Sequence, residues 1–300
     1  MKTDKYILLD GAMGTMLQKS GVVLGKNLEA LSVSNPALIE NLHRQYIQSG
    51  AQIVFANTFG ANSYKLQDSG YTVEQVVDAS IQAAKKACAG TDAKVALDIG
   101  PIGQLLEPAG TLSFEEAYQV FRQVICQGVR SGADLIGFET MTDLYEVKAG
   151  VLAAKECCGL PVFVTMTFEE NKRTFTGCSV SAMAATLEGL GVDAVGINCS
   201  LGPDEIYEIA RELCACTSLP VIVKPNAGLP SLEHDGYDIS AEAFCKSMEK
   251  IADLGVSILG GCCGTTPEYI AGLRDMVKGR TAPHRKVQPV SRICSPTRCV

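Results

Sequence analysis

Two adjacent cysteines, Cys262 and Cys263, are the side chains of this sequence best placed to do chemistry. Gly260 and Gly261 precede them, and a short apolar run precedes the glycines. Because neighbouring side chains of a strand point to opposite faces, both sulfurs can converge only where the strand has ended and the chain turns, which glycine allows. A thiolate pair on such a loop predicts half of a metal site, which needs at least one further ligand.

Cys199 is the best candidate for that further ligand, because it also closes an apolar strand. Three thiolates from two strand ends predict a three-cysteine zinc site with an open fourth position. A thiol in that position would meet a Lewis acid able to deprotonate it, so the site suits alkylation of a thiol better than hydrolysis by bound water. The alternative for any one of the 13 cysteines is a small buried core residue without a chemical role.

Two carboxylates, Asp10 and Glu139, also follow predicted strands. Facing one cavity, they could hold an ammonium group, and the backbone amides of Gly11, Ala12 and Met13 could receive a carboxylate. A thiol-bearing α-amino acid fits this set of groups. The alternatives are a turn role for Asp10, an ion pair with a nearby Lys or Arg for Glu139, and general acid and base roles for the two together.

The elements that must position these residues follow from a repeated unit of one strand and one helix. Short apolar runs alternate with segments of helical period, and glycines recur where a helix ends and the next strand begins. Eight parallel units with right-handed connections close most economically into a (β/α)8 TIM barrel of the α/β class. The predicted strands are residues 6–9, 52–56, 94–97, 134–138, 162–167, 194–198, 221–224 and 256–259.

A barrel is favoured over a doubly wound open sheet because no predicted strand leads into the Gly-x-Gly-x-x-Gly turn of dinucleotide-binding sheets. We predict one domain over residues 1–280 and a tail or linker over 281–300, where the apolar period stops. In a barrel the active site lies at the C-terminal ends of the strands. Asn226 stands there after the seventh strand, where a phosphate-binding barrel would carry a glycine-rich loop, and it is a further candidate substrate contact.

Composition argues against several other functions. The formal net charge is −7 and no basic run occurs before the last twenty residues, which argues against nucleic acid as a partner. No apolar stretch approaches the length of a membrane span. The sequence begins without a signal peptide, so we expect a cytoplasmic location, where thiols stay reduced. With only three histidines, sulfur must carry any zinc.

Five segments together resemble the homocysteine S-methyltransferase family over residues 1–280. Within that family the resemblance is strongest to the N-terminal homocysteine-binding module of cobalamin-dependent methionine synthases. The segments are Asp-Gly-Ala-Met-Gly-Thr at 10–15, Asn-Thr-Phe-Gly-Ala-Asn at 57–62, Glu-Thr at 139–140, Gly-Ile-Asn-Cys at 196–199 and Gly-Gly-Cys-Cys-Gly-Thr at 260–265.

The resemblance implies a zinc-dependent enzyme that transfers a methyl group to the thiol of L-homocysteine and gives methionine. It implies Cys199, Cys262 and Cys263 as zinc ligands, and Asp10 and Glu139 as the residues that recognise the substrate amino group. The implied donor is methylcobalamin. A separate corrinoid module or protein would bring it, because the cobalamin-ligating motif Asp-x-His-x-x-Gly does not occur in the sequence. We therefore expect a fragment of a longer synthase or a separate component that receives methyl groups.

Two alternatives to this function stay open at the level of the sequence. Relatives that use betaine or S-methylmethionine share the zinc motifs, so the same residues are compatible with another methyl donor. A non-catalytic module that senses homocysteine or presents it to a partner would carry the same ligands and would bind without turnover.

Overall fold

A ring of eight parallel strands forms the centre of the fold. The strands are Ile7–Leu8 (β1), Ile53–Phe55 (β2), Lys94–Ile99 (β3), Leu135–Met141 (β4), Val162–Met166 (β5), Ala194–Asn198 (β6), Val221–Lys224 (β7) and Ile258–Leu259 (β8). They pair in the order β1-β8-β7-β6-β5-β4-β3-β2, and a parallel bridge between Leu9 and Ile53 joins β1 to β2. This computed structural model describes residues 5–25, 27–229, 237–287 and 292–300.

The predicted (β/α)8 TIM barrel is confirmed, and each of the eight predicted strands is present. β1 and β8 are shorter than predicted, with two residues each. β3 and β4 are longer and extend to Ile99 and Met141 at their C-terminal ends. The added residues matter because they carry charged side chains into the region where a barrel places its active site.

Helices follow the strands and pack around the ring. Thr72 and Ser113 begin two of them with capping boxes, and prolines occupy the first turn of three others. The helices are Met13–Lys19 (α1), Leu31–Ser34 (α2), Pro36–Ser49 (α3), Val73–Cys88 (α4), Phe114–Arg130 (α5), Leu144–Cys157 (α6), Val180–Gly189 (α7), Pro203–Cys216 (α8), Ala241–Asp253 (α9) and Pro267–Val277 (α10), with a 3-10 turn at Leu28–Ala30. Over the described ranges, none is long and apolar enough to cross a bilayer.

Two apolar layers make up the core, one inside the ring and one between the ring and the helices. The inner layer consists of Leu9, Ile53, Phe55, Ala96, Leu135, Phe163, Ala194, Ile222 and Ile258. Because strand residues alternate between the two sides, positions two and four residues beyond this layer also face inward. Asp98 on β3, Glu139 on β4 and Lys224 on β7 occupy such positions above the apolar layer.

The predicted tail contacts the barrel where the structure describes it. The Arg285 guanidinium donates a hydrogen bond to the Cys214 carbonyl oxygen at 3.1 Å. Nearer the C-terminus, an isolated antiparallel bridge pairs Cys294 with Cys299. The boundary at residue 280 stays a prediction. Residues 1–4 of the predicted domain and 288–291 of the predicted tail lie outside the described residues.

Candidate metal centre and active site

The sulfur atoms of Cys199, Cys262 and Cys263 meet at the C-terminal end of the ring, all within 4.8 Å of one another. The Sγ atoms of Cys199 and Cys263 are 3.8 Å apart. Sulfur ligands at about 2.3 Å from a tetrahedral zinc stand about 3.8 Å from one another, so this spacing fits zinc. Among the residues that the structure describes, no other His, Cys, Asp or Glu side chains form such a group of three. The role of these cysteines as ligands stays a prediction.

Close packing at Gly260 and Gly261 shapes the turn that carries two of these cysteines. A Cβ atom on Gly261 would lie 2.3 Å from Thr265 Oγ1, and one on Gly260 would lie 2.9 Å from a neighbouring side chain. The Cys262 amide donates to the Pro225 carbonyl oxygen at 2.8 Å, and the Thr265 hydroxyl donates to the Cys262 carbonyl oxygen at 2.7 Å. The turn therefore needs two residues without side chains before the cysteines.

A left-handed turn at the end of β6 carries the third cysteine. Cys199 has a φ of 63° and Ser200 a φ of 59°, a region that costs a residue with a side chain about 1–2 kcal/mol. The Cys199 amide donates to the Lys224 carbonyl oxygen at 3.0 Å, and the Leu201 amide donates to the Cys199 carbonyl oxygen at 2.7 Å. These bonds hold the turn against β7, next to the loop that carries the other two cysteines.

Asn198 and Tyr237 flank the sulfur cluster with neutral polar groups. Asn198 Nδ2 lies 3.7 Å from Cys262 Sγ and donates to Thr140 Oγ1 at 2.8 Å, while Asn198 Oδ1 accepts from the Thr140 amide at 2.7 Å. Burial and the nearby Cys263 sulfur raise the pKa of Tyr237 to about 12. The amide and the phenol are therefore uncharged donors beside sulfur atoms.

The three thiols differ in acidity because their negative charges would repel one another at this separation. Hydrogen bonds from Cys199 and Cys262 lower the pKa of Cys263 below its usual range. Hydrogen bonds to Cys199 and Cys263 raise the pKa of Cys262 well above its usual range. Without a metal, the three groups therefore favour one thiolate and two thiols. A divalent cation would offset the repulsion and allow all three to be thiolates. The donor set fits a thiophilic metal.

Charged side chains form a second part of the site, in the mouth of the barrel. Lys224 Nζ lies 2.5 Å from Glu139 Oε2 and 4.0 Å from the centre of the Phe55 ring. Burial would lower the pKa of Lys224, but Glu139 and Asp10 outweigh burial and raise it. The Phe55 amide donates to Asp10 Oδ2 at 2.8 Å, and burial raises the pKa of Asp10 to about 7. The predicted carboxylates therefore interact electrostatically, and the Lys224 ammonium group interacts with both.

Lys224 is not among the residues predicted from the sequence, although an ion pair with a nearby Lys or Arg is the alternative for Glu139. The signal that could have found it is strand phase, because Lys224 lies two residues after Ile222 of the inner core in an otherwise apolar strand. Asp98 on β3 is missed in the same way, and it lies two residues after Ala96 of that core.

The loop after β1 brings Gly11, Ala12 and Met13 against the loop after β8. The Ala12 amide donates a long hydrogen bond of 3.4 Å to the Thr265 carbonyl oxygen. The Tyr46 hydroxyl lies 3.1 Å from both the Ala12 and the Thr265 carbonyl oxygens. The segment proposed to receive a substrate carboxylate is thus fixed to the cysteine loop.

Three buried acceptors of this region have no hydrogen-bond partner among the described residues. They are Oδ1 of Asn226, Oδ1 of Asp10 and Oδ1 of Asp98. Asn226 lies in the loop after β7, where its backbone amide donates to the Leu201 carbonyl oxygen at 3.0 Å. Since buried polar atoms almost always have partners, these oxygens are suited to a ligand that brings N–H donors.

Comparison with known proteins identifies the family. The model of the homocysteine S-methyltransferase family matches residues 7–277. The chain belongs to the homocysteine S-methyltransferase family. It is 34% identical over 284 residues to methionine synthase of Mycobacterium leprae (strain TN), covering 87% of this chain and 23% of that protein. Methionine synthase of Mycobacterium tuberculosis (strain ATCC 25618 / H37Rv) is 33% identical over 307 residues, 95% of this chain and 26% of that protein. The chain spans about a quarter of the length of these relatives.

Solved structures of a shorter relative also superimpose on this member of the family. The oxidized form of the homocysteine methyltransferase MmuM from Escherichia coli aligns with a TM-score of 0.79 and 26% identity, over 91% of this chain and 96% of that chain. The metallated form aligns with a TM-score of 0.78 and 27% identity over the same shares of the two chains. The family and the barrel predicted from the motifs are both confirmed.

Proposed function

We propose that this homocysteine S-methyltransferase transfers a methyl group to the thiol of L-homocysteine at a zinc ion held by Cys199, Cys262 and Cys263, and gives methionine. The observation that carries the proposal is the group of three sulfurs within 4.8 Å of one another at the barrel mouth. Family membership supports the substrate, and the metallated form of MmuM supports a metal in a related barrel. A cytoplasmic location, which keeps thiols reduced, suits such a site.

The chemistry that zinc supplies is Lewis acidity, which lowers the pKa of a bound thiol and keeps it as a nucleophilic thiolate. Cys199, Cys262 and Cys263 would hold the zinc and would leave one coordination position open for the substrate sulfur. Asn198, 3.7 Å from Cys262 Sγ, offers an N–H donor that stabilises negative charge on the ligand sulfur. The barrel holds the substrate sulfur and the donor methyl group close together and in line.

The amino-acid end of the substrate lies, in this proposal, over the charged layer that Asp10, Asp98, Glu139 and Lys224 form in the barrel mouth. Asp10 and Glu139 hold the ammonium group, and the backbone amides of Gly11 and Met13 receive the carboxylate. The Ala12 amide joins them by giving up its long hydrogen bond to the Thr265 carbonyl oxygen. The unpartnered Oδ1 of Asn226 offers a further acceptor. Binding the amino acid at a distance from the sulfur fixes the orientation of the thiol toward the metal.

For the methyl donor we propose methylcobalamin, brought by a corrinoid module or protein. The methionine synthase relatives support it, because this chain corresponds to about a quarter of their length and leaves room in them for other modules. A small donor that binds the barrel directly is the second candidate, and the MmuM structures favour it, since the aligned region is 96% of that chain. S-methylmethionine and betaine are the small donors to test.

The deciding experiment measures zinc per chain after purification under reducing conditions, and then methionine formation from L-homocysteine with each of the three donors. We expect about one zinc per chain and methionine from methylcobalamin. Methionine from S-methylmethionine or betaine alone would instead support the second candidate, a small donor that binds the barrel directly. Homocysteine binding without methionine from any donor would establish a non-catalytic module, and a protein without zinc after loading would contradict the metal site.

A further inference from the structure

The charged layer of the barrel mouth holds more carboxylates than the proposed function uses. Asp10, Asp98 and Glu139 lie there with Lys224, and each carboxylate interacts electrostatically with the other two and with the lysine. Lys224 Nζ is engaged by Glu139 at 2.5 Å. Among the described residues, the Lys224 ammonium therefore lies with three carboxylates in the interior of the protein, and Lys65 adds a second positive charge near Asp98.

Asp98 is the carboxylate of this layer without an assigned role. Its backbone is held on both sides by Thr58, whose hydroxyl donates to the Asp98 carbonyl oxygen at 2.8 Å and accepts from the Asp98 amide at 3.0 Å. The residue is 7% exposed, and its buried Oδ1 has no hydrogen-bond partner within the part of the chain that the structure describes. Asp98 faces inward by its phase in β3, and β3 lies next to β4, which carries Glu139.

An unpartnered buried carboxylate is costly, because a buried acceptor without a partner loses about 1–3 kcal/mol of hydration and a charge loses more. Burial and the Glu139 carboxylate raise the pKa of Asp98 well above its usual range. The other charged groups near it are Lys224, Asp10, Glu29 and Lys65. A fold retains such a group at an active site most simply when a ligand supplies the missing hydrogen-bond donor.

We propose that Asp98 is a specificity-determining residue that, with Asp10 and Glu139, accepts hydrogen bonds from the three N–H groups of the substrate ammonium. The site thereby selects thiols that carry an α-amino group over thiols that lack one. The inference rests on the proposed function, in which homocysteine is the substrate. An ammonium group has three donors and one positive charge. Asp10 and Glu139 alone do not offer an acceptor to each of the three N–H groups, because Glu139 is already bound to Lys224. Asp98 Oδ1 is the further acceptor.

The test compares two thiols on the zinc-loaded protein by titration calorimetry: L-homocysteine and 4-sulfanylbutanoate, which is homocysteine without its amino group. Wild-type protein should bind homocysteine more tightly. Asp98→Asn should weaken homocysteine binding about ten- to a hundredfold, the range of a lost hydrogen bond to a charged group, and leave 4-sulfanylbutanoate unchanged. The matched control is Asp92→Asn, an exposed carboxylate just before β3, which should change neither affinity.

If Asp98 had a purely structural role, Asp98→Asn would weaken the binding of both thiols by the same factor. That result, or unchanged binding of both thiols, overturns the proposal. Thermal unfolding and zinc content check that Asp98→Asn is folded and loaded, and Asp98→Ser gives the same comparison if the asparagine variant is not. Wild-type protein that binds both thiols equally also overturns the role of Asp98, while methionine formation still supports the proposed function. Wild-type protein that binds neither thiol contradicts the proposed function itself.

Discussion

Lys224 Nζ and Glu139 Oε2 form an ion pair of 2.5 Å inside the barrel mouth, where the lysine side chain is 3% exposed and the glutamate 14%. The pair joins β7 to β4 across the interior, and both groups are largely shielded from bulk water. Removing one partner therefore leaves a buried charge, which is a different situation from the loss of an ion pair on the surface.

Replacement of Lys224 with Met should lower the free energy of unfolding by about 3–5 kcal/mol, because Glu139 is left buried and uncompensated. Urea unfolding of the zinc-free protein measures the change. Lys155→Met is the matched control: Lys155 lies 3.5 Å from Asp193 in a pair that is 35% and 38% exposed, and its loss should cost about 0–1 kcal/mol. The double variant Lys224→Met/Glu139→Gln should recover part of the loss; equal costs for the two lysines would contradict a buried pair.

Most of the fold is predictable from the sequence because its signals are local. Each strand is a short apolar run, each helix has its own period, and glycines such as Gly132 and Gly255, with φ of 94° and 90°, mark where a helix gives way to the next strand. The convergence of Cys199 with the Cys262-Cys263 pair is predictable for a related reason, since parallel strands of a barrel end at one rim.

The charged layer is not predictable in the same way. Lys224 and Asp98 stand at the ends of apolar runs, where a charged residue normally indicates that the strand has reached solvent. Their burial can be inferred only once it is known which residues of each strand face the inside of the ring, and that depends on how the strand pairs with its neighbours. Tyr237 is missed because its contact with Cys263 joins segments with no shared pattern.

Replacement of Gly261 with Ala should reduce zinc retention and destabilise the protein by about 1–3 kcal/mol, because the new methyl group would lie 2.3 Å from Thr265 Oγ1 and displace the cysteine loop. Zinc per chain after dialysis and the unfolding midpoint measure the two effects. Gly159→Ala is the control, since a Cβ atom there meets nothing within 4 Å. Normal zinc retention in Gly261→Ala would show that the loop tolerates a side chain.

Replacement of Cys262 with Ala should abolish zinc retention while most of the barrel stays folded, because two thiolates do not complete a three-ligand site. Zinc analysis after dialysis, together with far-ultraviolet circular dichroism, measures both outcomes. Cys245→Ala is the matched control, because Cys245 lies on α9 with its sulfur 3.8 Å from the Tyr269 carbonyl oxygen and away from the cluster. Full zinc occupancy in Cys262→Ala would remove Cys262 from the ligand set.

The buried carboxyl of Asp10 should make the zinc-free protein less stable as pH rises from 4 to 7. Burial raises its folded pKa from 3.8 to about 7, although Lys224 and the Phe55 amide oppose this change. Between those values the folded state binds more protons than the unfolded state. Stability is therefore highest below the unfolded pKa and is lost as pH rises through the folded pKa, by about 1.4 kcal/mol for each pH unit between the two pKa values.

The measurement is the difference in unfolding free energy between wild type and Asp10→Asn at pH 5 and pH 8. Glu146, whose pKa burial also raises to about 7, titrates in the same window but is common to both proteins and cancels in the difference. Asn does not titrate, so the variant should gain stability relative to wild type at pH 8 compared with pH 5. A difference that is constant with pH would mean that Lys224 keeps Asp10 ionised throughout, and that the layer already holds enough positive charge to bind its carboxylates without a ligand.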